Sequence, residues 1–361
     1  MRAVRAAVFA AVMVLVPWWW CARGADGLYD GDLGAQRALA DGLVAALDRG
    51  VSVHTGSDRF DGEWTLVTSQ MAALGLGQVV LAHPSLRPRY QRAIERCVDA
   101  MLAPRVRAFG TAAWHEDGLV EFGSPRGHAY LGYLGLALGM LRRIDPGTRH
   151  AALHDQLVAT FASRVAASRT GLIETYPGER YPDVAAVIGA IGLHGAATGA
   201  DHTDVLRAWH DAYVPRYVDP ATGLLWQSAD EAGAPADAPR GSGTAIAAYF
   251  LSFADPALSA SLRRSLAARG RASLLGFGGV REYPSGRAGR GDIDSGPVLL
   301  GVSVSATAFG LAAARQSGDR GWFTELSRTA SLFGVQRDDG WVTGSTFGNA
   351  ILLAMSTAER R

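Results

Sequence analysis

The sequence of 361 residues contains only two cysteines, Cys21 and Cys97. Cys21 belongs to the apolar first 24 residues, so a chain that loses them can form no internal disulfide. Cys97 lies in RAIERCVDAML, in phase with Ile94, Val98 and Met101. That spacing predicts a thiol buried on the inner side of a helix. The sequence therefore excludes a fold stabilised by disulfides, and its cysteines do not report the redox compartment.

The chain also lacks an excess of either charge, since 35 basic residues balance 34 acidic residues. Nucleic-acid binding needs a concentrated basic face, which this sequence does not provide. The glycine-rich phosphate loops and the nucleophile elbow are missing too. His150 and His154 have the i,i+4 spacing of metal ligands, but no third ligand accompanies them. We therefore expect no nucleic-acid partner, no metal site and no cofactor.

The first 24 residues differ from the rest of the chain. A short basic start, MRAVR, precedes an apolar stretch from Ala6 to Pro17, and Ala22-Arg-Gly24 places small residues where a signal peptidase cleaves. We predict a signal peptide over residues 1–24, cleavage near Gly24, and export to the periplasm or the medium. The alternative is an uncleaved membrane anchor, because the cluster Trp18–Trp20 is typical of a membrane interface. Residues 25–361 are predicted to form a single domain.

Apolar residues recur at spacings of three and four after residue 25, which predicts helices rather than strands. Alternate helices differ in character: the odd-numbered ones carry charged faces, and the even-numbered ones are nearly uncharged. A helix that is apolar all round must be buried on all sides. The alternation therefore predicts a closed ring of six helical hairpins with inner and outer helices. The twelve predicted windows are 31–48, 63–82, 86–103, 127–143, 147–166, 183–198, 203–214, 242–254, 256–274, 297–316, 320–333 and 345–358.

A repeated loop precedes five of the inner helices. Each loop has a glycine followed by two residues of which at least one is apolar, and the intervals of 53, 52, 56 and 61 residues mark a repeat architecture. The glycines are Gly118, Gly171, Gly223, Gly279 and Gly340. Two loops, GLIETYPGERYPD (171–183) and GGVREYPSGRAGRGDIDSGP (278–297), share a Tyr-Pro, an acid, an arginine and a later aspartate. That charge exceeds what a turn needs, which indicates a ligand site.

This organisation resembles the six-hairpin (α/α)6-toroid enzymes, an all-α fold, over the whole of residues 25–361. The resemblance implies a funnel at the end of the ring where the inner helices begin. It also implies a small-molecule or oligosaccharide substrate, because most characterised members of the group act on carbohydrates. We therefore expect an exported glycoside hydrolase-like enzyme.

Glycoside cleavage needs two carboxyl groups on either side of the scissile bond, one as acid and one as base or nucleophile. The predicted mouth supplies six candidates. Three are possible general acids and three are possible partners: Glu63, Glu179 and Glu282, with Asp183, Asp292 and Asp294.

Each candidate also has a purely structural interpretation. Asp183 precedes an inner helix and could cap it. Glu63 is placed by the prediction in a first helical turn, where the helix dipole favours an anion. Ser295 with Pro297 could start the next inner helix. Asp292 and Asp294 could form a salt-bridge knot behind Arg287 and Arg290 instead of a carboxylate site.

Aromatic side chains and an arginine accompany these acids. Aromatic faces stack on the apolar faces of sugars, and guanidinium groups bind hydroxyl oxygens. The candidate substrate-binding residues are Trp64, His128, Tyr176, Tyr181, Arg281 and Tyr283. His194 lies deep in an inner helix and is predicted to be a hydrogen-bonded core histidine.

A narrower resemblance is to the linalool dehydratase/isomerase family, also exported (α/α)6 rings. ETYPGERYPD, with Pro177 and Tyr181, occupies a similar place, and His128 matches that family's histidine, although this loop lacks the family's two cysteines. This resemblance implies a second hypothesis, a lyase or isomerase of an uncharged alcohol with an apolar mouth. A third hypothesis is a non-catalytic ligand-binding ring, in which no two carboxylates face each other.

Overall fold

The computed structural model describes residues 2–51, 56–120, 122, 129–175, 180–181, 183–230, 232–334, 336–337, 340–341 and 345–360. Three helices lie outside the repeated hairpins: α1 (Arg2–Trp20), α2 (Ala25–Asp30) and α6 (Pro104–Trp114). The others alternate as outer and inner helices. They are α3 (Leu33–Asp48), α4 (Asp58–Ala82), α5 (Arg87–Leu102), α7 (Ala129–Ile144), α8 (Ala151–Ala167), α9 (Val184–Thr198), α10 (Thr203–Tyr217), α11 (Gly241–Leu251), α12 (Pro256–Gly270), α13 (Val304–Gln316), α14 (Arg320–Gly334) and α15 (Thr346–Ser356). Each of these twelve helices falls within or overlaps one predicted window.

The inner helices form a closed ring. In the order α4, α7, α9, α11, α13 and α15, each helix contacts the next, and α15 contacts α4. The outer helices α3, α5, α8, α10, α12 and α14 pack around them. By composition the segment Phe60–Ala82 is long and apolar enough to cross a membrane, but it is 78 % buried inside the ring. The predicted all-α (α/α)6 toroid is therefore confirmed.

Glycines allow neighbouring inner helices to approach closely. A Cβ atom added to Gly139 of α7 would lie 2.7 Å from the Leu193 Cβ of α9, and one added to Gly189 would lie 2.6 Å from the Phe250 carbonyl oxygen of α11. An interior glycine costs a helix about 1 kcal/mol relative to alanine. Here the cost is offset by close packing of buried apolar residues on both partners.

The ring is closed by side chains at one end. Gln78 of α4 donates a hydrogen bond to the Ala354 carbonyl of α15 at 2.8 Å. The Tyr249 hydroxyl of α11 donates to Gln78 Oε1 at 3.2 Å. Because α4 and α11 are three positions apart in a ring of six, this second bond crosses the ring axis. A ligand can therefore reach the axis from the opposite end, where the inner helices begin.

A small sheet inserts between α12 and α13. It contains β1 (Arg271–Leu274), β2 (Phe277–Arg281), β3 (Val298–Leu299) and β4 (Val302–Ser303), antiparallel in the order β1-β2-β4-β3. A two-stranded ribbon, β5 (Gln336–Arg337) with β6 (Gly340–Trp341), lies before α15.

The sheet corrects two predicted helix boundaries. The window 256–274 ends at Gly270, because Leu275 and Gly276 have φ values of 52° and 78° that turn the chain back into β2. The window 297–316 begins only at Val304, where the Ser303 side chain accepts a hydrogen bond from the Ala306 amide. The predicted helix start at Ser295 and Pro297 is therefore wrong.

Cys97 is buried in α5, as its spacing predicts. Burial raises the pKa of its thiol to about 12, and the positive charge of Arg96 opposes this shift. The thiol is therefore protonated and unreactive in the folded protein.

Candidate functional site

A cavity of about 330 Å³ opens at the end of the ring where the inner helices begin. Its walls come from the first turns of the inner helices and from the loops that lead into them. The lining residues are Phe60, Glu63, Trp64, Val67, Tyr133, Tyr181, Asp183, Gln227, Ser242, Gly243, Ile246, Ile293, Asp294, Phe309 and Phe347. The position of the cavity matches the funnel that the toroid resemblance implies.

Three carboxylates from separate parts of the sequence line this cavity. Glu63 lies on α4, Asp183 directly precedes α9, and Asp294 lies in the loop between β2 and β3. Because α4 begins at Asp58, Glu63 lies in the second turn of the helix. The prediction that it lies in the first turn is therefore wrong. The helix dipole, which acts mainly within the first turn, therefore does not explain its position.

Asp183 does not act as the predicted side-chain cap of α9. It occupies the position before the helix, but its side chain makes no capping hydrogen bond. Instead the Tyr133 hydroxyl donates to Asp183 Oδ1 at 2.7 Å. Burial and the neighbouring charge of Glu63 raise the pKa of Asp183 to about 6, and the bond from Tyr133 opposes them. The carboxyl group is thus held by a tyrosine within the cavity.

Asp294 lines the cavity and its side chain is exposed there. Desolvation by the surrounding protein raises its pKa to about 7, helped by the negative charges of Asp183 and Asp292 and opposed by Arg240. Water that enters the cavity weakens the shift, since it solvates the ionised form. Of the two cavity carboxyl groups Asp183 and Asp294, Asp294 has the higher pKa.

A salt-bridge cluster forms around Asp292, but its arginine is Arg240 rather than the predicted Arg287 or Arg290. Its carboxylate pairs with Arg240, which also donates to Asp237 at 2.8 Å. Asp292 Oδ1 accepts hydrogen bonds from the amides of Asp294 at 3.2 Å and Ser295 at 2.9 Å. Burial alone would raise the pKa of Asp292, but Arg240 and Ser295 hold it below its usual value. Of the two predicted aspartates, Asp292 therefore shapes the loop and Asp294 faces the cavity.

Glu282 lies behind the cavity wall. Its side chain is 0 % exposed, and Ser242 Oγ donates to its Oε1 at 2.7 Å. Burial raises the pKa of Glu282, with the hydrogen bond from Ser242 opposing. Since Ser242 itself lines the cavity, the structure brings Glu282 to the site only through that serine.

The predicted binding residues divide into three groups. Trp64 and Tyr181 line the cavity, and Trp64 stacks on Phe347 with ring centroids 4.7 Å apart. Arg281 and Tyr283 lie outside the lining; the Tyr283 hydroxyl donates to the Arg290 carbonyl at 3.1 Å. The remaining predicted residues lie outside the described part of the chain: His128, Tyr176 and Glu179.

His194 is a hydrogen-bonded core histidine, as predicted. Its Nε2 lies 2.9 Å from Asp155 Oδ1, and its Nδ1 lies 2.9 Å from His202 Nε2. In the described part of the chain no cluster of three histidine, cysteine, aspartate or glutamate side chains is arranged to hold a metal ion.

Several lining residues were missed by the sequence analysis. Tyr133 and Ser242 lie on inner helices, whereas most of the predicted site residues lie in the loops. The sequence does contain a signal for these two residues. The first turns of the inner helices face the mouth, so a polar residue there is a candidate for the site. The aromatic residues Phe309 and Phe347 had no such signal, because apolar residues on inner helices usually pack in the core.

No family model matches the sequence, and no curated protein matches it. Solved structures do match. The unsaturated glucuronyl hydrolase responsible for the degradation of glycosaminoglycan from Bacillus sp. GL1 has a TM-score of 0.51 and 13 % identity, over 90 % of this chain and 96 % of that one. A complex of a protein abbreviated UGL with dGlcA-Glc-Rha-Glc has a TM-score of 0.50 and 15 % identity, over 88 % and 94 %.

The GH76 alpha-mannanase BT2949 of Bacteroides thetaiotaomicron has a TM-score of 0.49 and 9 % identity, over 81 % of this chain and 84 % of that one. At such identities the likeness concerns the fold and does not transfer an activity. The match to the unsaturated glucuronyl hydrolase, at a TM-score of 0.51, agrees with the (α/α)6-toroid fold that the sequence predicts.

Proposed function

We propose that this protein cleaves a glycosidic bond, with Asp294 as general acid and Asp183 as base or nucleophile. The observation that carries the proposal is that Asp183 and Asp294, two carboxyl groups from separate loops, line one cavity, where Tyr133 holds Asp183 by a hydrogen bond. The pKa values of both groups are raised, to about 6 for Asp183 and about 7 for Asp294. Environments that separate the pKa values of two carboxyl groups assign an acid and a base.

The proton balance follows from these values. Asp294 has the higher pKa of the two and keeps its proton as the pH rises, whereas Asp183 ionises first. Asp294 gives its proton to the oxygen of the leaving group as the bond to the anomeric carbon breaks. In the same step Asp183 either takes a proton from the water that bonds to the anomeric carbon or bonds to that carbon itself. In the second case the ionised Asp294 then takes a proton from the water that hydrolyses the glycosyl ester and frees Asp183. The Tyr133 hydroxyl, 2.7 Å away, fixes the orientation of this carboxylate.

The walls of the cavity suit a saccharide. The stacked pair of Trp64 and Phe347 offers a flat apolar surface, and Tyr181 adds a second ring. Gln227 and Ser242 supply polar atoms for hydroxyl groups. The shared fold with the unsaturated glucuronyl hydrolase also supports a carbohydrate substrate.

The test combines turnover with binding. Purified protein is incubated with a panel of polysaccharides and aryl glycosides, and released sugar is measured; oligosaccharide binding is measured by calorimetry. Asp294→Asn is expected to lower kcat/KM by about 10²–10⁴-fold on natural leaving groups, the usual contribution of a general acid. Asp48→Asn changes an exposed carboxylate of the outer ring and is the control. No turnover together with no oligosaccharide binding would reject the proposal.

A second candidate is a lyase or isomerase of an uncharged alcohol. Much of the cavity wall is apolar, which that hypothesis expects: Phe60, Val67, Ile246, Ile293 and Phe309. Asp294 would protonate the departing hydroxyl, and Asp183 would remove a proton from the neighbouring carbon. Incubation with monoterpene alcohols and gas chromatography of the products tests it. Alkene formation without any saccharide turnover would favour this reaction over glycoside cleavage.

The third hypothesis expects no pair of carboxylates in the funnel. Three of the described carboxylates line it instead: Glu63, Asp183 and Asp294. This arrangement supports an enzyme over a non-catalytic ligand-binding ring.

A further inference from the structure

The segment between α1 and α2 packs against the outside of the ring. Cys21 is buried, and Tyr29 of α2 is 5 % exposed. Arg320 of α14 donates to Asp26 at 2.8 Å and also pairs with Asp30. Cys21 and Ala25, on either side of the predicted cleavage position, are therefore buried, although Gly24 itself is exposed.

A single arginine fastens the end of α1 to the ring. The Arg328 guanidinium lies 3.9 Å from the centroid of the Trp18 ring, and its Nε donates to the Trp18 carbonyl at 3.2 Å. Its Nη1 donates to the Gly276 carbonyl, in the β1–β2 turn, at 3.0 Å. Arg328 therefore holds the end of α1 beside this turn.

The surface on either side of this contact is apolar. Leu274 and Leu275 in the β1–β2 turn are 69 % and 67 % exposed. On α1, eight apolar residues are at least 49 % exposed: Val4, Phe9, Val12, Met13, Leu15, Val16, Trp19 and Trp20. Contiguous exposed apolar surface of this kind marks an interaction site.

The composition of α1 identifies its partner as a lipid bilayer. After Arg5, 15 uncharged residues of α1 extend about 22 Å at 1.5 Å per residue, and an arginine at the start of such a helix can extend its side chain to the surface of the roughly 30 Å hydrocarbon core. The only charges of α1, Arg2 and Arg5, lie at the start, and three tryptophans lie at the end. Arg23 packs against the rings of Trp19 and Trp20 at 5.3 and 4.8 Å. Tryptophan with arginine is typical of the membrane interface.

The sheet places the apolar turn away from the cavity. Leu274 pairs with Phe277 at one end of β2, whereas Arg281 pairs with Val302 at the other. Arg281 precedes Glu282, which contacts the cavity wall through Ser242. The β3–β4 turn, with exposed Leu299 and Leu300, lies at this cavity end.

We propose that the protein keeps residues 1–24, that α1 inserts into a lipid bilayer, and that the Leu274–Leu275 turn contacts the same membrane surface. The basic start of α1 stays on the cytoplasmic side and the ring lies on the other side, in accordance with the positive-inside rule. The end of the sheet that is next to the cavity then points away from the bilayer. This proposal does not depend on the reaction that the cavity performs.

Retention of α1 is tested first. The full chain is expressed in a bacterium, the membrane fraction is isolated, and the intact mass of the protein is measured. The expected mass includes residues 1–24 and remains with the membrane after a high-salt wash. A protein that begins near Ala25 and appears in the soluble fraction would overturn the proposal.

The turn is tested with a polarity-sensitive fluorophore on Leu275→Cys in the full chain. Both native cysteines are buried, so the new thiol is the accessible one. In vesicles of phosphatidylcholine and phosphatidylglycerol we expect a blue shift and quenching by brominated lipid. The matched control is Leu300→Cys, at the opposite end of the sheet, which should show neither effect. Equal signals from the two positions, or no signal from Leu275→Cys, would overturn the contact of the turn with the membrane.

Discussion

Tyr133→Phe removes one hydroxyl group and thereby tests the proposed role of Asp183. The Tyr133 side chain is almost fully buried, and its hydroxyl donates to Asp183 Oδ1 at 2.7 Å. A hydrogen bond to a charged group contributes about 1.5–3 kcal/mol, and 1.36 kcal/mol corresponds to one pKa unit. Loss of this bond should therefore raise the pKa of Asp183 from about 6 by about 1–2 units.

The substitution should lower activity, and most strongly at low pH. Asp183 acts in its ionised form, so activity rises as the pH passes upward through its pKa. Raising that pKa moves the acid limb of the pH profile upward by the same amount. At pH 6 we expect kcat/KM to fall about 5- to 50-fold, and at pH 8 the loss should be about twofold or less.

The assay is kcat/KM from pH 4 to pH 9 on any saccharide that the panel identifies. Independently, the side-chain carbonyl of Asp183 can be titrated by carbon NMR. Tyr130→Phe is the control, because the Tyr130 hydroxyl donates to the Met101 carbonyl and not to a carboxylate. An acid limb and an Asp183 titration that stay in place in Tyr133→Phe would refute the reasoning.

Three further changes have defined outcomes. Ser242→Ala removes the serine hydroxyl that donates to buried Glu282; the free energy of unfolding should fall by about 1–3 kcal/mol, measured by urea denaturation. Asp294→Asn should flatten the dependence of stability on pH. A carboxyl whose folded pKa is raised binds more protons in the folded state, so stability falls as pH rises from about 4 to about 7, and a variant without this group loses that slope in melting curves. A Cβ atom added by Gly189→Ala would lie 2.6 Å from the Phe250 carbonyl oxygen, so this change should destabilise the ring by about 1–3 kcal/mol.

The ring can be predicted from the sequence because its inner and outer helices differ in charge. Helices such as α9 and α11 are almost uncharged and most of their residues are buried, whereas α5 and α14 carry charges on one side. The difference in charge is a direct result of burial, so it can be recognised without knowing how the loops fold.

The inserted sheet is not readable in the same way. Strands β3 and β4 contain two residues each, too few to show alternation. The segment after Gly270 continues the apolar spacing of α12, so the sequence favours helix there. Only the backbone at Leu275 and Gly276, with positive φ, redirects the chain.

The residues of the site also differ in how well the sequence predicts their positions. Glu63, Asp183 and Asp294 were identifiable because acids near the start of a predicted inner helix must lie near the mouth. Glu282 was assigned to the cavity, but it lies behind Ser242, because a loop sequence does not determine which side of the wall a side chain occupies. The bond between Tyr133 and Asp183 joins residues 50 apart in the sequence, so only the packed ring reveals it.

The most direct test of the central claim is chemical rescue of Asp183→Ala by azide, with an activated aryl glycoside of a sugar that the wild type cleaves. The variant removes the carboxylate, and azide is small enough to enter a cavity of about 330 Å³ in its place. We predict that Asp183→Ala is at least about 100-fold slower than the wild type and that azide restores turnover and yields a glycosyl azide. Wild-type turnover by the variant without azide would contradict the account.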